Sequence, residues 1–145
     1  MLIKSNDMAD RAHCHVLLID DSADMGRLIR AYLADPAISL TVATSGRDGI
    51  GAFTENHFDL VLMDIDMPEM DGYEATRLIR AWETEHKRAQ TPILALTAIS
   101  DFGASKRVLS DGCTMHLTKP IMRSTLLQIV NQYSPRRAAP RPNAR

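Results

Sequence analysis

Four apolar runs in this chain end in, or lead straight to, a polar residue. Val16-Leu17-Leu18-Ile19 ends in Asp20-Asp21, and Leu60-Val61-Leu62-Met63 ends in Asp64. Ile93-Leu94-Ala95-Leu96 ends in Thr97, and Thr114-Met115-His116-Leu117 is followed by Thr118-Lys119-Pro120. One such ending is ordinary turn chemistry. Acid, acid, hydroxyl and ammonium brought to one place are a site. Three carboxylates a few ångströms apart repel, and a hard divalent cation with oxygen ligands relieves them. Mg²⁺ suits, because it accepts carboxylates together with a carbonyl, waters and a phosphate oxygen. A carboxylate beside that ion, with a hydroxyl and a lysine aimed at the same spot, is equipped to attack a phosphoryl group. The metal and the ammonium neutralise the equatorial oxygens as charge spreads over them. Asp64 is then the nucleophile and becomes an acyl phosphate; no histidine base is required, since a carboxylate is already ionised at neutral pH.

The elements that must position these groups follow from the pattern. Short apolar runs bounded by turn signals read as strands buried in a parallel sheet. After Asp64, Pro68 lacks a donor and Gly72 tolerates positive φ, so that strand stops. Leu40-Thr41-Val42-Ala43 alternates and reads as a weaker strand near an edge. Helices fill the gaps. Asp21 or Ser22 caps one with Met25, Leu28, Ile29, Tyr32 and Leu33 inward, and Asp35-Pro36 stops it. Gly46 to Asn56 is a modest helix with Ile50 and Phe53 inward, weakened by Gly49 and Gly51. Tyr73 to about His86 turns Ala75, Leu78, Ile79 and Trp82 inward and leaves Arg77, Arg80, Glu83 and Lys87 for its wet face. A short helix capped by Asp101 stops at Asp111-Gly112, and Ile121 to Tyr133 closes the fold with Leu126, Leu127, Ile129 and Val130. Right-handed crossovers then give an α/β fold: a (βα)5 doubly wound, five-stranded parallel sheet of order 2-1-3-4-5, flavodoxin-like. All strand ends carrying the polar residues face one rim.

Bulk composition excludes several classes. At 145 residues the chain holds one domain with a real core. Residues 1–14 read as a flexible leader, 15–133 as the domain and 134–145 as a disordered tail rich in arginine and proline. Residues 15–134 carry 11 basic and 16 acidic residues, a net of −5, which suits a cation site better than a polyanion groove. No direct nucleic-acid binding is expected. Two cysteines, Cys14 and Cys113, make no disulfide framework and point to a reducing cytoplasm. His13-Cys14-His15 lacks a second ligand cluster and reads as a polar lead-in to the first strand. No apolar run reaches the length of a membrane span, so no membrane insertion is expected.

Across residues 15–133 the chain resembles the receiver domains of two-component response regulators. The carriers are Leu18-Ile19-Asp20-Asp21-Ser22, Val61-Leu62-Met63-Asp64-Ile65-Asp66-Met67-Pro68-Glu69-Met70-Asp71-Gly72, Leu96-Thr97-Ala98 and Leu117-Thr118-Lys119-Pro120. Met67 to Arg80 and Thr91 to Ala98 are closest in wording to receivers of hybrid sensor kinases. The resemblance implies a phosphoacceptor domain of a phosphorelay, not an enzyme in its own right beyond self-catalysed phosphorylation and dephosphorylation. Asp64 resembles the phosphoacceptor. Asp20, Asp21 and Asp64, with the backbone carbonyl of Asp66, resemble the Mg²⁺ ligands. Lys119 resembles the lysine that pairs with the phosphoryl group, and Thr97 with the Ala98 N–H the switch. The resemblance also implies a cis peptide before Pro120.

His116 departs from the family, which usually places Tyr or Phe there as a second switch side chain. Asp66 and Ile99 stand where the family varies. The implied partner is a histidine kinase or a histidine phosphotransfer protein. On the first helix Ser22, Ala23, Gly26 and Arg30 lie off the apolar stripe and, with Pro120, are the expected contact surface; Gly26 and Ala23 would let another helix approach. By family analogy the fourth-to-fifth helix face, Phe102 to Tyr133, carries the output contacts or a homodimer. Two rivals stand beside this reading. A haloacid-dehalogenase-type phosphatase also uses an aspartyl nucleophile, and Asp64-Ile65-Asp66 imitates its motif, but there the motif opens the chain and a cap shelters the substrate. A phosphorylation-independent pseudo-receiver, a pure binding module, usually lacks an acid or the lysine, and neither is missing here.

Overall fold

The computed structural model describes residues 13–98 and 103–135. The expectations for leader residues 1–12, Ile99, the Asp101 cap, Phe102 and the tail beyond 135 lie outside them. Elements alternate strictly: β1 Cys14–Ile19, α1 Ala23–Tyr32, β2 Ile38–Ala43, α2 Gly46–Glu55, β3 Leu60–Asp64, α3 Gly72–Glu85, β4 Ile93–Thr97, α4 Ala104–Ser110, β5 Met115–Thr118 and α5 Arg123–Tyr133. The sheet has the expected order β2-β1-β3-β4-β5, and every pairing is parallel.

The period of two along each strand divides the core into two layers. Leu17, Ile19, Val61, Met63, Ile93 and Ala95 pack one face against Phe53, Ile79 and Val108. Val16, Leu18, Leu60, Leu62, Leu94 and Leu96 pack the other against Ile29, Leu126 and Ile129. Strands covered on both faces explain why their sequences read as continuous apolar runs. Register then carries the functional ends to one height: Ile19 lies opposite Met63, Asp64 opposite Leu96, and Thr97 opposite Thr118.

Three helix starts carry side-chain caps, the first of them at the expected Ser22. Ser22 Oγ accepts from Met25 N, Ser45 Oγ from Asp48 N, and Asp71 Oδ1 from Glu74 N. Gly112, at φ 101°, follows the Asp111 C-cap of α4.

The structure corrects several finer expectations. Cys14 is not leader: it is a buried β1 residue whose N–H donates to Ala37 O at the edge of β2. Leu28 and Leu78 are exposed. Ala75 and Ile79 of α3 are buried as expected, and the buried face extends through Tyr73, Thr76 and Glu83 in place of Leu78. Arg80 and Glu83 are therefore not on a wet face. Arg80 Nη1 donates to Glu83 Oε1 and to Thr91 O, both at 2.8 Å, and Arg80 Nε donates to Gly112 O at 2.8 Å. Thr91 N completes the set by donating to Glu83 Oε2. Gly26 is also buried, and a Cβ there would make an ordinary contact with Val42 Cγ1 at 3.7 Å. Gly72 does not take a positive φ; Glu69 does, at 67°.

Candidate functional site

The site is built at the carboxyl rim of β1, β3, β4 and β5. β3 is buried along its whole length, so Asp64 is delivered as the end of a rigid rod; it is 2% exposed. Behind it α3 begins hard against the strand. A Cβ on Gly72 would meet Asp64 O at 2.3 Å and Ile65 Cα at 2.8 Å, and Gly72 N donates to Ile65 O. Glycine is required by that backbone approach, not by turn geometry. Asp64 Oδ1 accepts from Lys119 Nζ at 3.0 Å and from Asp66 N at 3.3 Å. Lys119 reaches it from the turn after β5, where its own N–H is held by Thr97 O at 2.8 Å and the bond to Pro120 is cis.

From β1, Asp20 Oδ1 accepts from Ser22 N at 2.8 Å, which fixes the carboxylate while Ser22 starts α1. Its Oδ2 is buried with no hydrogen-bond partner. Carboxylate oxygens of Asp20, Asp21 and Asp64 all lie within 4.8 Å of one another. Burial pushes Asp20 up to about 6; the Ser22 N–H pulls against that, Asp64 raises it, Lys119 lowers it and Asp21 raises it. Burial likewise raises Asp64, opposed mainly by Lys119. Buried acids this close are uncomfortable alone, and an orphaned carboxylate oxygen among hard donors fits a divalent cation. Asp20, Asp21 and Asp64 are the side chains that would hold Mg²⁺.

Of the other expected residues, Thr97 is buried at the end of β4, one place beyond the residue opposite Asp64, and Ala98 follows it half-buried. His116 is half-buried in β5 opposite Ala95, within the strand and not in the acidic cluster. The Asp66 side chain is exposed and outside the three-acid cluster; its N–H, not its carboxylate, touches Asp64. Ser22, Ala23, Arg30 and Pro120 are exposed, whereas Gly26 is not available on that surface. The sequence reading missed the part played by Gly72 and by the Ser22 N–H. The only signal for the first was a glycine immediately following an N-cap aspartate.

Residues 16–131 match the response regulator receiver domain, and the chain belongs to that family. It is thus a receiver domain of two-component systems, and the fold is the one found in solved receivers. Over 119 residues it is 38% identical to the sensor protein GacS of Pseudomonas syringae, covering 82% of this chain and 13% of that protein. The chain therefore spans a small fraction of the curated sensor kinases it matches. The receiver domain of a sensor histidine kinase from Pseudomonas aeruginosa, described with a magnesium ion coordinated in the active-site cleft, is 31% identical with a TM-score of 0.73, covering 83% of this chain and 97% of that one. The Saccharomyces cerevisiae receiver of Ssk1, solved with the histidine phosphotransfer protein Ypd1, is 25% identical with a TM-score of 0.81, covering 88% and 92%.

Proposed function

We propose that Asp64 is the phosphoacceptor of a phosphorelay and takes its phosphoryl group from a phosphohistidine in a Mg²⁺-dependent reaction. The observation that carries this is the meeting at one buried carboxylate of Lys119, 3.0 Å away, with Asp20 and Asp21 within 4.8 Å. An Asp64 carboxylate oxygen attacks phosphorus as the donor P–N bond breaks, and the electron pair leaves on the imidazole nitrogen, which is then protonated. Lys119 neutralises the incoming phosphoryl oxygens, and the rigid β3 end holds the nucleophile in line. Mg²⁺, when bound by Asp20, Asp21 and Asp64, supplies further charge neutralisation at those oxygens. Thr97, with the Ala98 N–H, is the group drawn toward the new phosphoryl oxygen, favouring a second conformer in which α4 moves.

The donor is a histidine kinase or histidine phosphotransfer protein, and the complex of Ypd1 with a similar receiver supports this class of partner. Exposed Ser22, Ala23 and Arg30 with Pro120 are the proposed contact surface. Incubation of the chain with a panel of phosphorylated kinases and phosphotransfer proteins tests donor and acceptor together. Transfer to the native chain and none to Asp64→Asn is the expected pattern. Sustained multiple turnover of simple phosphomonoesters would instead favour the phosphatase reading.

A further inference from the structure

Helix α4 is poorly anchored by the usual means. It has seven residues, well below the length at which an isolated helix holds itself together. Its N-cap is Gly103, which makes no side-chain bond. Among its described side chains Val108 alone is buried, while Lys106, Arg107, Leu109 and Ser110 face water. Burial of one valine does not offset the backbone entropy of ordering seven residues. Something else must set where this helix rests.

Polar contacts from α3 do so, and they gather at one end. Asp111, the C-cap of α4, places Oδ1 3.2 Å from Arg77 Nη1 on α3 and Oδ2 3.2 Å from Arg107 Nε on α4. The Arg107 guanidinium in turn lies 4.0 Å from the centre of the Tyr73 ring at the start of α3. Behind this rim Arg80 holds Gly112 O, and Thr76 Oγ1 meets Cys113 Sγ at 3.6 Å. An aspartate at a helix C-terminus opposes the helix dipole, so Asp111 is out of place unless guanidinium groups neutralise it. Two do.

The geometry points to Arg77, Arg107 and Asp111 as positioning residues: a latch through which α3 fixes the carboxyl end of α4 and so sets the resting side of the switch. The inference rests on the reading of Asp64 as phosphoacceptor, because it assigns a regulator to that same site. The inner contacts of Arg80 form a fixed pivot. The outer three residues are half-exposed or partly buried and can release. Loss of the latch frees α4 to take its second position, which the phosphoryl-bound site favours, so the site binds a phosphoryl mimic more tightly without any change in its own residues.

Two measurements on native chain, Asp111→Ala, Arg77→Ala and the conservative Asp111→Glu test this. Amide hydrogen exchange without ligand reads the latch alone. Asp111→Ala should speed exchange at residues 107–113 by about fivefold while β1 and β3 stay protected, and Asp111→Glu should recover most of the difference. Unchanged exchange there overturns the latch. Titration with beryllofluoride at saturating Mg²⁺ reads the coupling: apparent affinity should rise about two- to fivefold in Asp111→Ala and Arg77→Ala. Equal or weaker affinity overturns it. Faster exchange in Asp111→Ala together with a native chain that binds no beryllofluoride would instead remove the phosphoacceptor reading and with it the regulatory role.

Discussion

Asp20 must carry charge where water scarcely reaches it. Its proton affinity is raised to about 6 chiefly by burial, against an ordinary 3.8. Between those values the folded protein binds more protons than the unfolded chain, so stability falls as pH rises from about 4 to about 6 and stays lower above that. Asp64 shifts in the same direction and adds to the effect. Urea denaturation of the Mg²⁺-free protein should therefore show Asp20→Asn more stable than native by about 1–3 kcal/mol at pH 7, with the gap closing toward pH 4. A gap independent of pH would mean that the cluster is not the source of the strain. Added Mg²⁺ should raise the stability of the native chain and leave Asp20→Asn nearly unmoved. At the same scale, glycines report how tightly the rim is assembled. An added methyl at Gly72 meets backbone that cannot yield, whereas at Gly49 it meets Ile19 side-chain atoms, the nearest at 2.4 Å. Gly72→Ala should cost about 2–3 kcal/mol and depress phosphorylation; Gly49→Ala, where a side chain can shift, should cost less and leave phosphorylation intact. Equal losses of phosphorylation would contradict the positioning role of Gly72. The acids, Thr97 and Lys119 were legible because each ends or follows an apolar run. Gly26 was not, since a glycine packed against Val42 and one facing solvent look alike in a helical pattern.

Among the elements, α3 departs most from its sequence pattern. Spacing alone assigns Leu78 inward and Glu83 outward, and both are reversed. The reason is a contact no local period encodes: Arg80, 12% exposed at its side chain, reaches across to the Gly112 and Thr91 carbonyls and needs the buried Glu83 beside it. Those partners lie 32 and 11 residues away along the chain. Removing the carboxylate strands a buried guanidinium, so Glu83→Ala should cost about 3–5 kcal/mol in chemical denaturation. A loss below about 1 kcal/mol would mean that the pair acts as an ordinary surface bridge. The start of α1, by contrast, was readable from Ser22, because capping is local chemistry. Strand β2 was readable as an edge from its alternation, though it begins two residues earlier, at Ile38, where β1 pairing extends it.

At the scale of the molecule, the order of strands does the assembling. A parallel sheet puts every strand's carboxyl end on one rim, and the 2-1-3-4-5 order sets β1 beside β3 and β3 beside β4. Residues 44 positions apart, Asp20 and Asp64, thus share a cluster, and Lys119 closes it from 55 positions beyond Asp64. This much follows from topology once the strands are recognised, which is why the fold and the centre of the site were legible together. The state of the switch was not, because it depends on α4, whose Arg107 and Asp111 find partners on α3 that no local pattern pairs with them.

The proposed function requires Asp64 to be the group that accepts the phosphoryl. The most direct measurement is mass spectrometry of the intact chain and its peptides after incubation with acetyl phosphate and Mg²⁺. One phosphoryl group on the peptide carrying Asp64, lost in strong acid and in base and removed by neutral hydroxylamine as an acyl phosphate should be, absent without Mg²⁺ and absent from Asp64→Asn, is the expected result. Phosphoryl uptake by Asp64→Asn equal to that of the native chain, or its location on any other peptide of the native chain, would contradict it.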